Sequence, residues 1–469
     1  MKTILRLIIY TLLIIPVFSN AEIQYSQRGH FDLATIHRLS DGTIINIPYR
    51  IVTYEPALSF NNFTLVANTT IEYRLKDIND VFGSDFLFDI REFYLEWMTS
   101  LGDFSFGKQI FSWGSTDGNS PADNLNANDY YYLFSSGADQ KIGAFSFAGN
   151  FYLGSWKFGL AVSPVHNTNR LPMNDPEFPV KLPASPSISQ IIEVNNPTEF
   201  GGFIIKSFNF GEATLTYFSG YDRVFSSSGF NILLENNETF IDTVFGYRKT
   251  EVMSIGGVAL LGQLTARGEI AYFNTIDEND HIERITPEIQ NEVPEYSVTK
   301  PTYSAPFLTE ARYTQFTVQL EYELPWEVQF AGQYFQYDTL DIISTALPNM
   351  DALTGLTPEE KDTLRDLNPA DFFFPGMGAP MALLTKRALL LNVIKKMYDN
   401  RIELSLRTMM DMDNSGKLIE MGFAYDINES LKSYLAVTKI IGDDTQIDKY
   451  TFNNMEDFSH IRCELTYSF

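Results

Sequence analysis

The chain has 469 residues, with 59 Asp or Glu against 34 Lys or Arg, and its formal net charge at pH 7 is −25. This acidic excess disfavours nucleic acid as a partner, because phosphates are bound by Lys and Arg. Cys463 is the only cysteine, which excludes an internal disulfide, and residues 22–469 contain no apolar run of about 18 residues that would predict a membrane-spanning helix.

The amino terminus has the order of a secretory signal peptide. Lys2 and Arg6 precede an apolar run over 7–18, and small residues follow up to Ala21. The apolar run is too short to span a bilayer as a helix. We therefore predict that residues 1–21 are removed on export and that residues 22–469 form a single domain.

Short segments that alternate between apolar and polar residues follow, as expected for β-strands. Three strands are predicted over 29–38, 44–54 and 62–75, with a turn at 55–57. Further strands flank seven tight turns rich in Gly, Asn, Asp and Pro, at 101–103, 154–155, 209–211, 261–263, 324–325, 399–400 and 428–429.

The hairpin that contains Arg91 and Lys108 departs from simple alternation. If Phe104 and Phe106 face lipid, Lys108 does too, and a Lys at the bilayer midplane costs about 2–4 kcal/mol. A bulge near Gly107, snorkelling, or burial against another subunit of a homotrimer would each remove this cost.

The same hairpin carries a family resemblance. Residues 91–97, Arg-Glu-Phe-Tyr-Leu-Glu-Trp, and 107–114, Gly-Lys-Gln-Ile-Phe-Ser-Trp-Gly, resemble uncharacterised porin-like outer-membrane proteins with a Gly-Arg/Lys-Gln-x-x-x-Trp-Gly strand before an Asn/Asp-rich loop. The likeness covers about residues 90–172. Alginate-export-type porins are similar more distantly, but their densely basic lumen is not matched here. The resemblance implies an outer-membrane channel and no particular solute.

Long polar segments alternate with the tight turns along the chain. They lie near 114–142, 164–198, 222–243, 277–309 and 339–382. Short periplasmic turns opposite long extracellular loops are typical of outer-membrane barrels, and aromatic residues, 14% of the chain, would supply the interfacial girdles. We predict an all-β transmembrane antiparallel up-and-down β-barrel in the bacterial outer membrane, in contact with lipid and lipopolysaccharide.

The alternation predicts which charged residues face the lumen and set solute preference. These pore-lining candidates are Lys157, Arg267, Glu269, Glu321, Glu327, Arg401, Glu403 and Arg407. In the loop over 339–382, Phe372, Phe373 and Phe374 would be unfavourable on a cell surface. They predict a segment that folds into the lumen as a constriction, or one that packs on neighbouring loops or another subunit.

Asp411, Asp413 and Ser415 match the first positions of a calcium loop, but Gly422 replaces the Glu required at its twelfth position. A structural Ca²⁺ in the loops is therefore a weak prediction, and no other cofactor is expected.

The chain ends in ten strictly alternating residues, 460–469, and a terminal aromatic residue, Phe469. This ending resembles the closing strand that the barrel-assembly machinery recognises. It brings the strand count to 18, or to 16 if residues 44–54 merge into one hairpin arm.

Together these features favour a porin or substrate-selective channel for passive diffusion of small solutes into the periplasm. A phospholipase-like barrel enzyme is a weaker alternative, because none of the five His residues lies in a recognisable nucleophile motif. A non-conducting adhesin or assembly platform is a third. We expect no enzymatic activity.

Overall fold

The computed structural model describes residues 23–74, 86–133, 137–173, 175, 177, 186–235, 238–284, 301–345, 357–358, 361, 368, 370, 373–443, 445 and 451–469. The predicted signal peptide, residues 1–21, lies outside these described residues.

Eighteen strands form one sheet that closes on itself. They are β1 Ile23–Arg38, β2 Pro48–Phe60, β3 Phe63–Arg74, β4 Phe86–Met98, β5 Gly102–Gln109, β6 Ala144–Leu153, β7 Trp156–Ser163, β8 Glu199–Phe208, β9 Gly211–Tyr221, β10 Lys249–Leu261, β11 Leu264–Ile276, β12 Glu310–Leu324, β13 Val328–Ile343, β14 Arg387–Met397, β15 Ile402–Asp411, β16 Lys417–Asp426, β17 Leu431–Ile441 and β18 His460–Ser468. Each strand is antiparallel to the next, and β18 pairs with β1, with Leu465 opposite Leu33. The predicted up-and-down barrel of 18 strands is confirmed.

The connections differ at the two ends of the barrel. At the end that holds β1's first residue and β18's last, they are two to four residues long; at the other end most are long loops. This asymmetry identifies the end with the short turns as periplasmic. All seven predicted tight turns lie there.

The turn predicted at 55–57 is wrong, because β2 continues through Pro56 to Phe60 and the chain reverses at Asn61 and Asn62. Pro56 has no N–H to donate, and residues 55 and 56 have no partners in the β2–β3 ladder. The missing bond interrupts the ladder but does not end the strand. Asn61 adopts the left-handed conformation, with φ of 51°, which Asn tolerates better than most residues.

Side chains alternate between the outside and the inside of the barrel. Opposite pairs on the outer face of β1 and β18, such as Leu33–Leu465 and Phe31–Tyr467, are exposed and apolar. Such a large apolar surface must be covered by lipid.

A row of aromatic side chains follows the periplasmic rim from β2 to β6. Phe60, Phe63, Trp97, Phe104 and Phe151 form successive ring contacts from β2 to β6, with centroid distances of 5.4, 5.9, 5.7 and 5.4 Å. Aromatic rings are favoured at this depth because they suit the boundary between hydrocarbon and water.

Lys108 remains opposite Phe93 and Phe145 in a continuous ladder, and no register shift occurs near Gly107. The irregularity lies on β4, where Arg91 is skipped in the pairing with β3 and its side chain is 3% exposed. The Lys108 Nζ reaches Asp89 Oδ1 at 3.2 Å. An ion pair within the chain therefore accommodates Lys108.

The hydrophobic core lies inside the barrel, between the wall and the extracellular loops. One cluster includes Phe335, Leu384 and Phe452; another includes Phe273 and Tyr313, whose rings stack at 4.5 Å. A separate three-stranded sheet over 226–235, 238–246 and 303–306 forms within the loops at the extracellular end. Within the described residues, no helix is long and apolar enough to cross a membrane.

Candidate functional site: the lumen and its internal loop

Residues 110–133 and 137–143, together termed the internal loop, leave β5 and fold back into the barrel. Trp113 packs on Phe203 of β8, with ring centroids 5.5 Å apart, and is 7% exposed. Gly114, with φ of 117°, lies so close to the wall that a Cβ would be 2.1 Å from Ser120 Oγ and 2.8 Å from Glu269 Oε1. Glycine is required here because of both the conformation and the close approach.

Glu269 of β11 holds the loop against the wall. Its carboxylate accepts hydrogen bonds from Thr116 N at 3.0 Å, Thr116 Oγ1 at 3.3 Å and Ser120 Oγ at 2.6 Å. The Glu269 side chain is almost fully buried beneath the loop. A buried carboxylate needs such donors, so loop and wall stabilise each other.

Two glutamines extend this contact onto β12 and β13. Gln319 accepts from Asp117 N at 3.0 Å and donates to Asp117 Oδ2 at 2.9 Å. Gln333 accepts from Asn119 Nδ2 at 2.9 Å and donates to Asp117 O at 2.8 Å. The segment 113–120 is therefore bonded to three adjacent strands.

Buried charges fix the rest of the internal loop. Arg223, 2% exposed, pairs with Glu199 at 2.9 Å and donates to the carbonyl oxygens of Asn124 and Leu125. Lys141 pairs with Asp123. Burial raises the pKa of Asp123 above its usual value, although the Lys141 ammonium opposes the shift.

On the other side of the lumen, Arg50 of β2 lies 3.5 Å from both Glu72 and Asp129 and stacks over the Tyr132 ring at 3.6 Å. Arg170 pairs with the same two carboxylates, at 2.7 and 3.1 Å. Burial raises the pKa of Asp129, against the opposing effect of the two arginines. The internal loop is thus attached to opposite walls.

The space left between loop and wall is a cavity of 1430 Å³. It extends from Gln263 and Ser468, at the periplasmic ends of their strands, to Ile47 and Phe458 near the extracellular loops. This volume exceeds the roughly 300–1,000 Å³ of a typical small-molecule site, so small solutes fit within it.

Carboxylates outnumber basic groups along the described lining. Nine carboxylates line it, from Asp32, Asp117, Asp123, Asp139, Glu321, Glu323, Glu403, Glu420 and Glu464, against six basic groups, from Arg50, Lys141, Arg267, Arg407, Lys432 and Arg462. Arg267 pairs with Glu321 at 2.7 Å and Arg407 with Glu420 at 3.3 Å. The Arg462 guanidinium lies over the Tyr434 ring at 4.9 Å.

The structure places the predicted pore-lining residues in three environments. Arg267, Glu321, Glu403 and Arg407 line the cavity. Lys157 lies over the inward ring of Phe203 at 5.3 Å, and Glu269 is covered by the internal loop. Glu327 and Arg401 lie in periplasmic turns.

The aromatic residues of the predicted constriction contact other parts of the barrel interior. Phe373 meets Tyr313 of β12 at 5.7 Å and lies under the Arg248 guanidinium, and the carbonyl oxygen of Phe374 accepts from Arg248 at 2.8 Å. Phe372 lies outside the described residues. Among the described residues of this loop, Met381 lines the cavity.

The calcium candidates take part in a local turn. Asp411 accepts from Thr385 Oγ1 at 2.8 Å and from Asp413 N at 2.9 Å, and Asp413 pairs with Arg387. Ser415 donates its N–H to Asp443. Among the described residues, no group of three or more His, Cys, Asp or Glu side chains is arranged to hold a metal ion.

Phe469 closes the barrel. Its N–H and carbonyl oxygen bond to the carbonyl oxygen and N–H of Gly29, both at 3.0 Å. Its ring contacts Phe31 at 5.4 Å and Tyr54 at 6.4 Å. Recognition of this residue by the assembly machinery stays a prediction.

Sequence reasoning missed the anchoring role of Glu269, Gln319 and Gln333 and the lumenal positions of Arg462 and Glu464. The alternation of the last strand could have placed Arg462 and Glu464 on the inner face, because Ile461 and Cys463 of the same strand face outward. The anchors had no such signal, because their partners lie far away in sequence.

A closed barrel with an apolar outer face, a polar lumen and short turns at one end is a transmembrane β-barrel of the bacterial outer membrane. No protein-family model matches the sequence, and no curated protein matches it. The structure is similar to the outer-membrane protein opdK from Pseudomonas aeruginosa, with 9% identity, 95% of this chain and 99% of that chain covered, and a TM-score of 0.46.

It is also similar to OccK2 (OpdF) from Pseudomonas aeruginosa, with 8% identity, 96% and 97% coverage and a TM-score of 0.46. For the anion-selective porin from Comamonas acidovorans the values are 8% identity, 96% and 100% coverage and a TM-score of 0.42. At such low scores, the fold assignment depends on the strand pairing within this chain.

Proposed function

We propose that this protein is an outer-membrane channel through which small solutes diffuse passively into the periplasm. The observation that carries the proposal is the polar cavity of 1430 Å³ inside a closed barrel. The internal loop narrows this space but does not fill it. Charged and hydroxylated side chains line the part that remains, and water and small polar solutes can occupy it.

The charges favour a preference for cations. Four basic groups of the lining, on Arg50, Lys141, Arg267 and Arg407, are paired with carboxylates, so their charges largely cancel. Five other carboxylates of the lining, which include Glu403 and Glu464, then remain against two other basic groups, on Lys432 and Arg462. An excess of negative charge along a narrow lumen raises the local cation concentration.

Planar-bilayer recording of the refolded barrel tests both parts of this proposal. We expect stepwise conductance and, in a KCl gradient, a reversal potential of the sign that K⁺ permeation gives. The double variant Glu403→Gln/Glu464→Gln should shift this potential towards zero. Glu251→Gln is the matched control, since Glu251 lies on the outer face of β10, opposite Ser219, and its removal should leave the potential unchanged.

Absence of current from a correctly folded barrel would contradict the channel. A reversal potential of the opposite sign would contradict only the cation preference.

Interactions with lipopolysaccharide, recognition of Phe469 by the assembly machinery and a homotrimer belong to the same proposal. Because Lys108 pairs with Asp89, burial against a neighbouring subunit is not needed to offset the cost of placing this lysine in the bilayer. Sedimentation in detergent measures the mass of the assembly, and a monomer would refute the trimer.

A further inference from the structure

One part of the lumen wall is apolar although it lies beside the cavity. Leu390 of β14, Met409 of β15 and Leu418 of β16 are direct cross-strand partners, so they form a continuous row on the inner face. Met381 of the loop over 344–386 also lines this end of the cavity. Four apolar side chains therefore face the cavity together at this end.

The next row towards the periplasm is polar and charged. Asn392, Arg407 and Glu420 are cross-strand partners two residues along from the apolar row. The Arg407 guanidinium lies 3.3 Å from the Glu420 carboxylate, and Tyr434 OH is a further 3.3 Å from the same carboxylate. Ile394 then adds an apolar side chain below this row.

Another part of the cavity lining has a different character. It is formed by the internal loop, where Ser115, Asp117 and Gly118 line the space and are held there by the bonds to β11–β13. A solute in the cavity therefore meets both an apolar row and polar groups.

We infer that the lumen selects small zwitterions that carry an apolar side chain, such as apolar α-amino acids; the inference rests on the proposed channel function. The ammonium and carboxylate of such a solute are adjacent, as are Glu420 and Arg407, so each charge of the solute can meet its opposite. Its side chain then lies against Leu390, Met409 and Leu418, which removes apolar surface from water. A sugar of equal size gains neither contact.

Liposome swelling with leucine, serine and arabinose tests this inference. A channel that only sieves by size admits serine faster than leucine, whereas the apolar row should make leucine at least as fast as serine. Leu390→Ser should lower the ratio of leucine to serine rates about threefold, the order expected for partial burial of one aliphatic side chain. Gln329→Ser, at an inward position of β13 that also lines the cavity, is the control and should leave the ratio unchanged.

The charged row has its own variant. Arg407→Gln/Glu420→Gln removes both charges but keeps the net charge of the pair and a polar side chain at each position, and it should lower the rates of both amino acids relative to arabinose. If a variant folds poorly, block of the wild-type K⁺ current by leucine but not by serine provides the same information.

The outcomes distinguish failure of zwitterion selection from failure of the channel itself. A barrel that conducts K⁺ but admits the three solutes in order of size refutes zwitterion selection and leaves the channel intact. A folded barrel that conducts nothing refutes both.

Discussion

Glu269→Ala should release segment 113–120 of the internal loop from the barrel wall. The substitution removes the acceptor of three hydrogen bonds and leaves Thr116 N without this partner at a buried position. Hydrogen bonds to charged groups contribute about 1.5–3 kcal/mol each, but they are not additive and one of these is long. We take about 3 kcal/mol for the whole contact.

At about 1.4 kcal/mol per factor of ten, this loss raises the ratio of detached to attached segment by roughly 100-fold. The bonds from Gln319 and Gln333 remain, at about 1 kcal/mol each, so the segment detaches transiently without leaving the lumen. Because the segment lines the cavity, each detachment should interrupt the ionic current.

Single-channel recording measures this directly. Glu269→Ala should convert a steady current into one with frequent brief closures, and Glu269→Gln, which retains one carbonyl acceptor, should be intermediate. Glu323→Ala is the control, because it removes a carboxylate that lines the same cavity near its periplasmic end and should leave the current steady.

A second measurement uses the single native cysteine. In a Cys463→Ser background, a cysteine introduced by Ser115→Cys is buried against the wall and should react slowly with a thiol reagent. Glu269→Ala should speed this reaction. A quiet current together with an unchanged reaction rate, in a barrel that remains folded, would refute the anchoring role of Glu269.

Three further variants test the closure seam, a loop carboxylate and the lipid-facing lysine. Gly29→Ala places a Cβ 2.6 Å from Thr53 O and 2.7 Å from the Phe469 ring, so it should lower the free energy of unfolding in urea by about 1–3 kcal/mol. The control is Gly268→Ala, whose Cβ meets nothing closer than 3.7 Å and which should change this free energy by less than about 0.5 kcal/mol. Equal effects of the two variants would contradict the geometry of the seam between β1 and β18. Hydrogen bonds from Thr445 and from Ser415 N lower the pKa of Asp443 to about 2, below its value of about 3.9 in an unfolded chain. The ionised carboxylate therefore stabilises the fold above about pH 4, and this contribution is lost as the pH falls through about 2. Asp443→Asn should therefore lower the melting temperature much more at pH 7 than at pH 2, and an equal decrease at both would refute the assignment. Lys108→Met should change the unfolding free energy by less than about 1 kcal/mol, because Lys108 and Asp89 form a partly exposed pair; a gain of about 2–4 kcal/mol would show instead that the lysine lies unpaired in hydrocarbon.

The strands could be predicted because one physical requirement governs each of them. Lipid outside and water or polar groups inside impose a period of two, which the sequence displays directly in residues such as Phe316, Val318 and Leu320 against Thr317 and Gln319. The tight turns were predictable for a similar local reason. The turn predicted at 55–57 is the exception. Pro56 is typical of the end of a strand, but here it only removes one hydrogen bond between β2 and β3.

The internal loop could not be predicted in this way. Its position depends on contacts between residues far apart in the chain, such as Thr116 with Glu269 and Asp117 with Gln319. Alternation shows that Glu269 and Gln319 face inward, but not whether they face water or another segment. The sequence therefore predicts an inward carboxylate equally well for Glu269, which is covered, and for Glu403, which lines the cavity.

This division between covered and water-lined positions has a consequence for the whole barrel. On β11–β13 the inward polar residues bind the internal loop, so their substitution should change stability and permeation together. On β14–β18 inward residues such as Arg407, Glu403 and Glu464 line the cavity without binding that loop in the described structure, so their substitution should change permeation with little effect on stability. The strands β11–β13 thus determine where the lumen lies, and the strands that follow them, β14–β18, determine which solutes it favours.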